Sequence, residues 1–176
     1  MTQHAVLYYA PGAASMVVHW LMLELDMPHE LRLVDTAAGA QRSPEYLKLN
    51  PNGVVPTLVL DGVPRFEAGP LAVALAHRDP QHRFAPAHDD QQRADYHQWM
   101  LHLANAVQPL LRQWWYPHEP AGEANADNVR ACVAPRLAAA WERLDTRIAE
   151  HGPYLLGDTV SAADLYLAML MRWTRN

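Results

Sequence analysis

The sequence predicts an α/β N-terminal domain followed by an all-α domain, and three observations carry that fold class. Short apolar, β-branched runs bounded by turn residues occur only before residue 80. Past residue 88 the apolar residues recur every three or four positions and no strand signal appears. Between them, Asp79 to His88 is polar and punctuated by Pro80 and Pro86. The expected division is 1–79 for the first domain, 80–88 for a linker and 89–176 for the helical domain.

His4 to Tyr9 reads as a first strand, apolar enough to be buried. Pro11-Gly12 ends it, and Val17, Val18, Leu21, Met22 and Leu25 then repeat at helical spacing across Ala13 to Leu25. A second strand contains Leu31, Leu33 and Val34. Ser43-Pro44-Glu45 opens a short helix, with Ser43 as capping residue and Pro44 suited to the first helical position. Pro56 to Leu60 and Arg65-Phe66 form a hairpin across Asp61-Gly62-Val63-Pro64. Ala68 to His77 is a helix that tolerates Pro70 in its first turn. The order βαβ–α–ββα is the thioredoxin-like pattern, its first two strands parallel through a helical crossover.

In the second domain, Tyr96, Trp99, Leu103, Val107, Leu110 and Trp114 mark one helix, and Val129, Val133, Leu137, Trp141, Leu144 and Ile148 another. These stripes read as core, and Pro109 and Pro135 inside them predict kinks. Ser161 and Asp164 stand at the N-cap and N3 positions of the last helix, close to a capping box, with Val160 and Leu165 at the staple positions. From Leu165 to Trp173 that helix is apolar on every side, the mark of a helix without a solvent face.

Half the residues are hydrophobic and 19% are charged, so a sizeable core is available and disorder is not expected. The net charge of −5 and the absence of a Lys/Arg run argue against nucleic acid as a partner. Cys132 is the only cysteine, which excludes an internal disulfide and a Cys-rich zinc site. The ten histidines show no metal-ligand spacing, so no metal is expected. With no basic-then-apolar leader and no apolar run near 18 residues, the expectation is a cytoplasmic protein without a membrane span.

The most informative stretch is Leu49-Asn50-Pro51-Asn52-Gly53-Val54-Val55-Pro56-Thr57-Leu58. Pro51, Asn52 and Gly53 are turn chemistry, and Pro56 stands at the mouth of a strand, where its missing N–H removes no central ladder bond. A proline there can be an ordinary trans residue, or it can hold a cis bond that turns the main-chain groups of Val55 outward to pair with an extended peptide. This stretch, followed by Phe66-Glu67-Ala68, resembles the glutathione-binding half of a cytosolic glutathione transferase. Leu7-Tyr8-Tyr9-Ala10-Pro11-Gly12-Ala13-Ala14-Ser15 resembles the start of the bacterial beta-like members, and Gly157-Asp158-Thr159-Val160-Ser161-Ala162-Ala163-Asp164 is similar to the family's capping motif in the helical domain.

The resemblance implies the glutathione transferase fold, glutathione as co-substrate, and conjugation of its thiolate to a small hydrophobic electrophile. Ser15, in the first turn of the first helix, or Tyr9, at the end of the first strand, would stabilise the thiolate, with Ser15 favoured by the beta-like pattern. The residues alone give Ser15 an equal claim to a local capping role. Val55 and Pro56 would pair with the cysteinyl unit, Glu67 and the N–H of Ala68 would hold the γ-glutamyl end, and Gln41 and Arg42 would reach the glycyl carboxylate. Glu67 also reads as an ordinary acid stabilised at a helix start. Asn105, Gln108, Leu111, Trp114 and Trp115 would form the electrophile pocket; the Trp114-Trp115-Tyr116 cluster reads equally as a domain or subunit contact.

Three departures from the family pattern open rival readings. Ala14 stands where many beta-like members carry a cysteine, and Ala68 where Ser or Thr commonly binds the γ-glutamyl carboxylate. Relatives usually continue with helices that wrap the last one, so the resemblance implies a chain short at its C-terminus or a partner subunit as cover. A homodimer is expected by resemblance alone. The rivals are a non-catalytic binding or scaffold protein of the same fold, or a glutathione-dependent isomerase.

Overall fold

A computed structural model describes residues 4–175. The chain divides into two compact units, the first ending at His82 and the second starting at Arg83. In the first unit the elements are β1 (Ala5–Tyr9), α1 (Ser15–Glu24), β2 (His29–Leu33), α2 (Pro44–Leu47), β3 (Thr57–Leu60), β4 (Val63–Phe66) and α3 (Ala68–Ala76). The four strands form one mixed sheet in the order β2-β1-β3-β4. β1 and β2 are parallel, with Leu7 opposite Leu31, whereas β3 is antiparallel to both β1 and β4.

The local chemistry explains most of these boundaries. Ser43 caps α2 by accepting the Tyr46 N–H at 3.2 Å, with Pro44 at the first helical position. The β3–β4 connection is tighter than the sequence suggests. Only Asp61 and Gly62 form the turn, at φ of 50° and 80°, the left-handed pair that a two-residue hairpin requires. Val63 and Pro64 already pair with Leu60 and Val59, and Pro64 is accommodated because β4 is an edge strand. β2 is the opposite edge, and there Leu31 and Leu33 are exposed rather than buried. The stripe of α1 (Val17, Val18, Leu21 and Met22) is fully buried, and α1 packs beside α3.

The second unit contains α4 (Arg93–His102), α5 (Gln108–Trp115), α6 (His118–Ala121), α7 (Ala126–His151) and α8 (Ala162–Arg172). α4 and α5 are one run joined by a π-helical turn at Leu103–Val107. That turn lies immediately before Pro109, whose missing N–H cannot continue the α-helical ladder, so the expected distortion takes this form. α7 continues through Pro135 and buries Val133, Leu137, Ala140 and Leu144 along one stripe.

The 80–88 stretch is not uniformly a solvated linker: Phe84 and Ala85 are buried, and the Phe84 carbonyl accepts the Ala162 N–H at 2.8 Å. α8 packs against α4 and the π-helical turn, leaving Leu165, Tyr166, Leu167, Met169 and Leu170 buried. Its cover comes from within the chain, which corrects the expectation of an uncovered face; only Met171 and Arg172 at its end are exposed. Among the described residues no helix is long and apolar enough to cross a membrane.

The start of α8 is held by Asp164. Its carboxylate accepts the Leu155 N–H (2.8 Å), the Ser161 N–H (2.7 Å) and the Ser161 hydroxyl (2.8 Å), while Ser161 Oγ accepts the Ala163 N–H. Asp164→Ala removes a capping box and leaves buried donors unpaired, so it is expected to destabilise the protein by about 2–3 kcal/mol. Urea denaturation measures it; a loss under about 0.5 kcal/mol, the scale of an ordinary surface substitution, would contradict this account.

Candidate functional site

The turn between α2 and β3 is built on one carbonyl. Val54 O accepts two hydrogen bonds, from Asn50 Nδ2 at 2.7 Å and from the Tyr46 hydroxyl at 2.8 Å. Since the single phenolic proton is directed at Val54, the 2.8 Å contact between Tyr46 and Thr57 has the Thr57 hydroxyl as donor. Burial pushes the Tyr46 phenol above its ordinary value, against the lowering effect of its hydrogen bond with Thr57. Asn50 is wholly buried, and its Oδ1 accepts the Asn52 N–H at 3.0 Å.

The next residues emerge from this brace. The Val55–Pro56 peptide bond is cis. No hydrogen bond within the described chain engages the main-chain groups of Val55, which is half-buried. The antiparallel register ends with Tyr8 opposite Thr57, the residue after Pro56, and Tyr9 is the last residue of β1. Tyr8 meets the Tyr46 ring edge-on at 5.8 Å, so strand alternation turns Tyr9 to the other face of the sheet. Tyr9 is half-buried, and its hydroxyl has no hydrogen-bond partner among the described residues.

Ser15 is placed differently from the expectation. It is 1% exposed, its hydroxyl donates to the Ala10 carbonyl at 3.1 Å and its oxygen accepts the Ala10 N–H at 3.3 Å. The only proton it could offer a thiolate is committed to the β1–α1 loop, because a hydroxyl buried this deeply must satisfy itself locally. The Ser15 hydroxyl is thus engaged by the backbone, whereas that of Tyr9 has no partner among the described residues. Ala14 is the N-cap residue of α1 and supplies no side-chain cap.

Glu67 is the N-cap of α3 at φ 73° and ψ 123°, a conformation that costs a non-glycine residue about 1–3 kcal/mol. Its carboxylate is exposed and accepts Asn52 Nδ2 at 3.2 Å. Asn52 in turn receives Arg42 Nη1 on its carbonyl at 3.3 Å. Gly53 permits that approach: it lies at φ 59°, and a Cβ there would stand 2.7 Å from Arg42 Nη1. Arg42, Asn52 and Glu67 thus form a continuous polar line beside Val55. Gln41 does not join it, since its Nε2 donates to the Thr36 carbonyl at 3.3 Å and its Oε1 is buried without a partner. Ala68, first in α3, is buried and offers only its N–H.

In the second unit, Leu111, Trp114 and Trp115 line a groove of about 260 Å³ together with Ala134, Leu137, Trp173 and Thr174. Asn105 and Gln108 do not belong to it. Asn105 is exposed elsewhere on the helix, and Gln108 Oε1 is taken by the Tyr166 hydroxyl. Trp115 Nε1 donates to the Trp173 carbonyl at 3.1 Å, a contact across the groove that no local pattern announces. Asn50, Asn52 and Tyr46 are likewise absent from the expected site residues; Asn52 reads only as turn chemistry. Among the described residues no three His, Cys, Asp or Glu side chains converge as a metal site would need.

Residues 13–78 match the family described as "Glutathione S-transferase, N-terminal domain". The chain is 30% identical over 171 residues to glutathione S-transferase GST-4.5 of Xanthomonas campestris pv. campestris, covering 95% of this chain and 81% of that protein. It is 25% identical over 177 residues to the disulfide-bond oxidoreductase YfcG of Escherichia coli K12, covering 96% and 80%. Among solved structures, a glutathione transferase homologue from Sulfitobacter with bound glutathione superposes at a TM-score of 0.87 and 30% identity, covering 98% of this chain and 83% of that one.

The strain at Glu67 is testable apart from any ligand. Glu67→Ala keeps the positive φ and Glu67→Gly relieves it, so the glycine variant should be the more stable by about 1 kcal/mol. Thermal denaturation of the pair decides it; glycine the less stable, as at an ordinary helix position, would remove the strain argument.

Proposed function

Because this chain belongs to the glutathione S-transferase family, we propose that it binds glutathione in its N-terminal unit and transfers the tripeptide's thiolate to a hydrophobic electrophile. The observation that carries the reading is the polar line Arg42–Asn52–Glu67 running beside the unpaired main chain of Val55. Glutathione is an extended tripeptide with an ammonium at its γ-glutamyl end and a carboxylate at its glycyl end. Glu67 pairs with the ammonium, and the N-terminus of α3 faces the γ-glutamyl carboxylate. Val55 N–H and C=O pair with the cysteinyl unit, and Arg42 takes the glycyl carboxylate.

The sulfur then needs a donor. A free thiol with a pKa near 8.5 is only a few per cent ionised at pH 7, so a hydroxyl donating to the sulfur raises the nucleophilic fraction. Tyr9 takes that role, since it ends β1 next to the Tyr8–Thr57 pair with its hydroxyl unengaged by any described residue, whereas Ser15 is closed on Ala10. The ionised sulfur attacks the electrophilic carbon, the carbon–sulfur bond forms, and the leaving group departs with its electron pair or the activated double bond takes it up. In the helical unit, the uncharged groove lined by Leu111, Trp114 and Trp115 has the chemistry of a hydrophobic second substrate. Disulfide exchange through an enzyme cysteine has no nucleophile here: Ala14 occupies the loop, and Cys132 lies on α7.

Binding without turnover is the second reading, favoured by the enclosed Ser15 hydroxyl and by Ala68 in place of a hydroxyl-bearing residue. Isothermal titration with glutathione and an ultraviolet titration of the bound thiol separate the two. The transferase reading expects a thiolate appearing well below pH 8, lost in Tyr9→Phe and retained in Ser15→Ala. Binding with an unshifted thiol would favour the second reading, and no binding at millimolar glutathione would defeat both.

A further inference from the structure

We infer that Asn52 is a positioning residue that aims Glu67 at the γ-glutamyl ammonium and, through its own carbonyl, ties that end of the site to Arg42. The inference rests on glutathione being the ligand of the N-terminal unit, and goes beyond it by naming what makes the acid effective. An exposed glutamate has three free side-chain torsions, and freezing them on binding costs affinity. Here the carboxylate is held before any ligand arrives, because Asn52 Nδ2 donates to Glu67 Oε1 at 3.2 Å. The bond leaves Oε2 free of any described partner, so one oxygen is anchored and the other remains for an ammonium.

Asn52 is itself fixed at both ends of its backbone. Its N–H goes to the buried Asn50 Oδ1 at 3.0 Å, and its carbonyl receives Arg42 Nη1 at 3.3 Å. The same residue therefore contacts the side chains assigned to the two termini of the tripeptide. The separation between cationic and anionic recognition groups is set through one short turn rather than through two independent loops. Gly53 keeps the Arg42 side of this arrangement close, since any larger residue would displace the guanidinium. A turn former chosen only for backbone conformation would not require a side-chain amide aimed at a carboxylate on another helix; a glycine or aspartate would serve the turn as well.

The test uses the full chain and S-methylglutathione, which binds without reacting. Asn52 is exposed and its turn bonds are main-chain ones, so Asn52→Ala should unfold at the temperature of the parent. It is expected to weaken S-methylglutathione binding about three- to ten-fold in isothermal titration, the cost of ordering one long side chain on binding. In a Glu67→Ala background the same substitution should change affinity less than about two-fold, because the residue acts through Glu67. S-methylcysteinylglycine, which lacks the γ-glutamyl unit, should lose no affinity through Asn52→Ala. An equal loss in both backgrounds, an equal loss for the dipeptide, or no loss at all overturns the inference while leaving the glutathione reading standing. A parent protein that fails to bind S-methylglutathione overturns both.

Discussion

The carbonyl of Val54 is the constraint on which the N-terminal site depends. It receives one donor from wholly buried Asn50 and another from the buried phenol of Tyr46. In a low-dielectric interior such a doubly bonded carbonyl is hard to rotate, because turning it away would strand two buried donors at about 1–3 kcal/mol each. With Val54 held inward, the main-chain polar groups of Val55 have no hydrogen-bond partner among the described residues. The Thr57 hydroxyl, donating to Tyr46, extends the same brace into the first residue of β3. One carbonyl thus couples the short helix α2, the turn and the central sheet.

Two polar residues on either side of this brace show opposite solutions to placing a side chain near a helix start. Ser15 is buried and resolves its hydroxyl on the backbone of Ala10, which ties the start of α1 to the end of β1. Glu67 is exposed and does not cap its own helix; it adopts a positive φ and extends its carboxylate toward Asn52. The first arrangement satisfies the fold. The second costs the fold something, and unfavourable backbone that persists at an exposed carboxylate is better explained by what the carboxylate holds than by stability.

Much of the architecture was readable from residues alone, because it is governed by local chemistry. Proline and glycine set the hairpin and the short helix, apolar spacing set the α1 and α7 stripes, and Ser161 with Asp164 announced the capping box that is observed. What escaped the sequence depends on direction rather than type. A serine in a first helical turn can point inward or outward with the same neighbours in the chain, so Ser15 gave no sign that it closes on Ala10. Asn52 fits a turn whatever its amide does, and its contact with Glu67 spans fifteen residues. Phe84 lies in a stretch whose average composition is polar, and its burial shows only once Ala162 bonds its carbonyl. Asn105 and Leu111 are separated in angle by the π-helical turn, which shifts the phase that a uniform 3.6-residue period assumes, while Gln108 is taken up by the Tyr166 hydroxyl.

The absence of a hydroxyl at Ala68 sharpens the account of binding. A serine or threonine there would give the γ-glutamyl carboxylate a charge-assisted bond, about 1–2 kcal/mol. The N-terminus of α3 retains main-chain N–H groups at Ala68 and Gly69 and carries no acid within its first turn to oppose an anion, yet such a terminus contributes only about 0.3–1 kcal/mol when exposed. Pro70 removes one of the donors that a regular helix start would present. On the proposed reading, the carboxylate side of a γ-glutamyl unit is held less firmly here, and recognition of that end shifts toward its ammonium. Under that balance the orientation of Glu67 matters more here than it would beside a serine, which is the circumstance in which an amide such as Asn52, holding the acid in place beforehand, has the most to contribute.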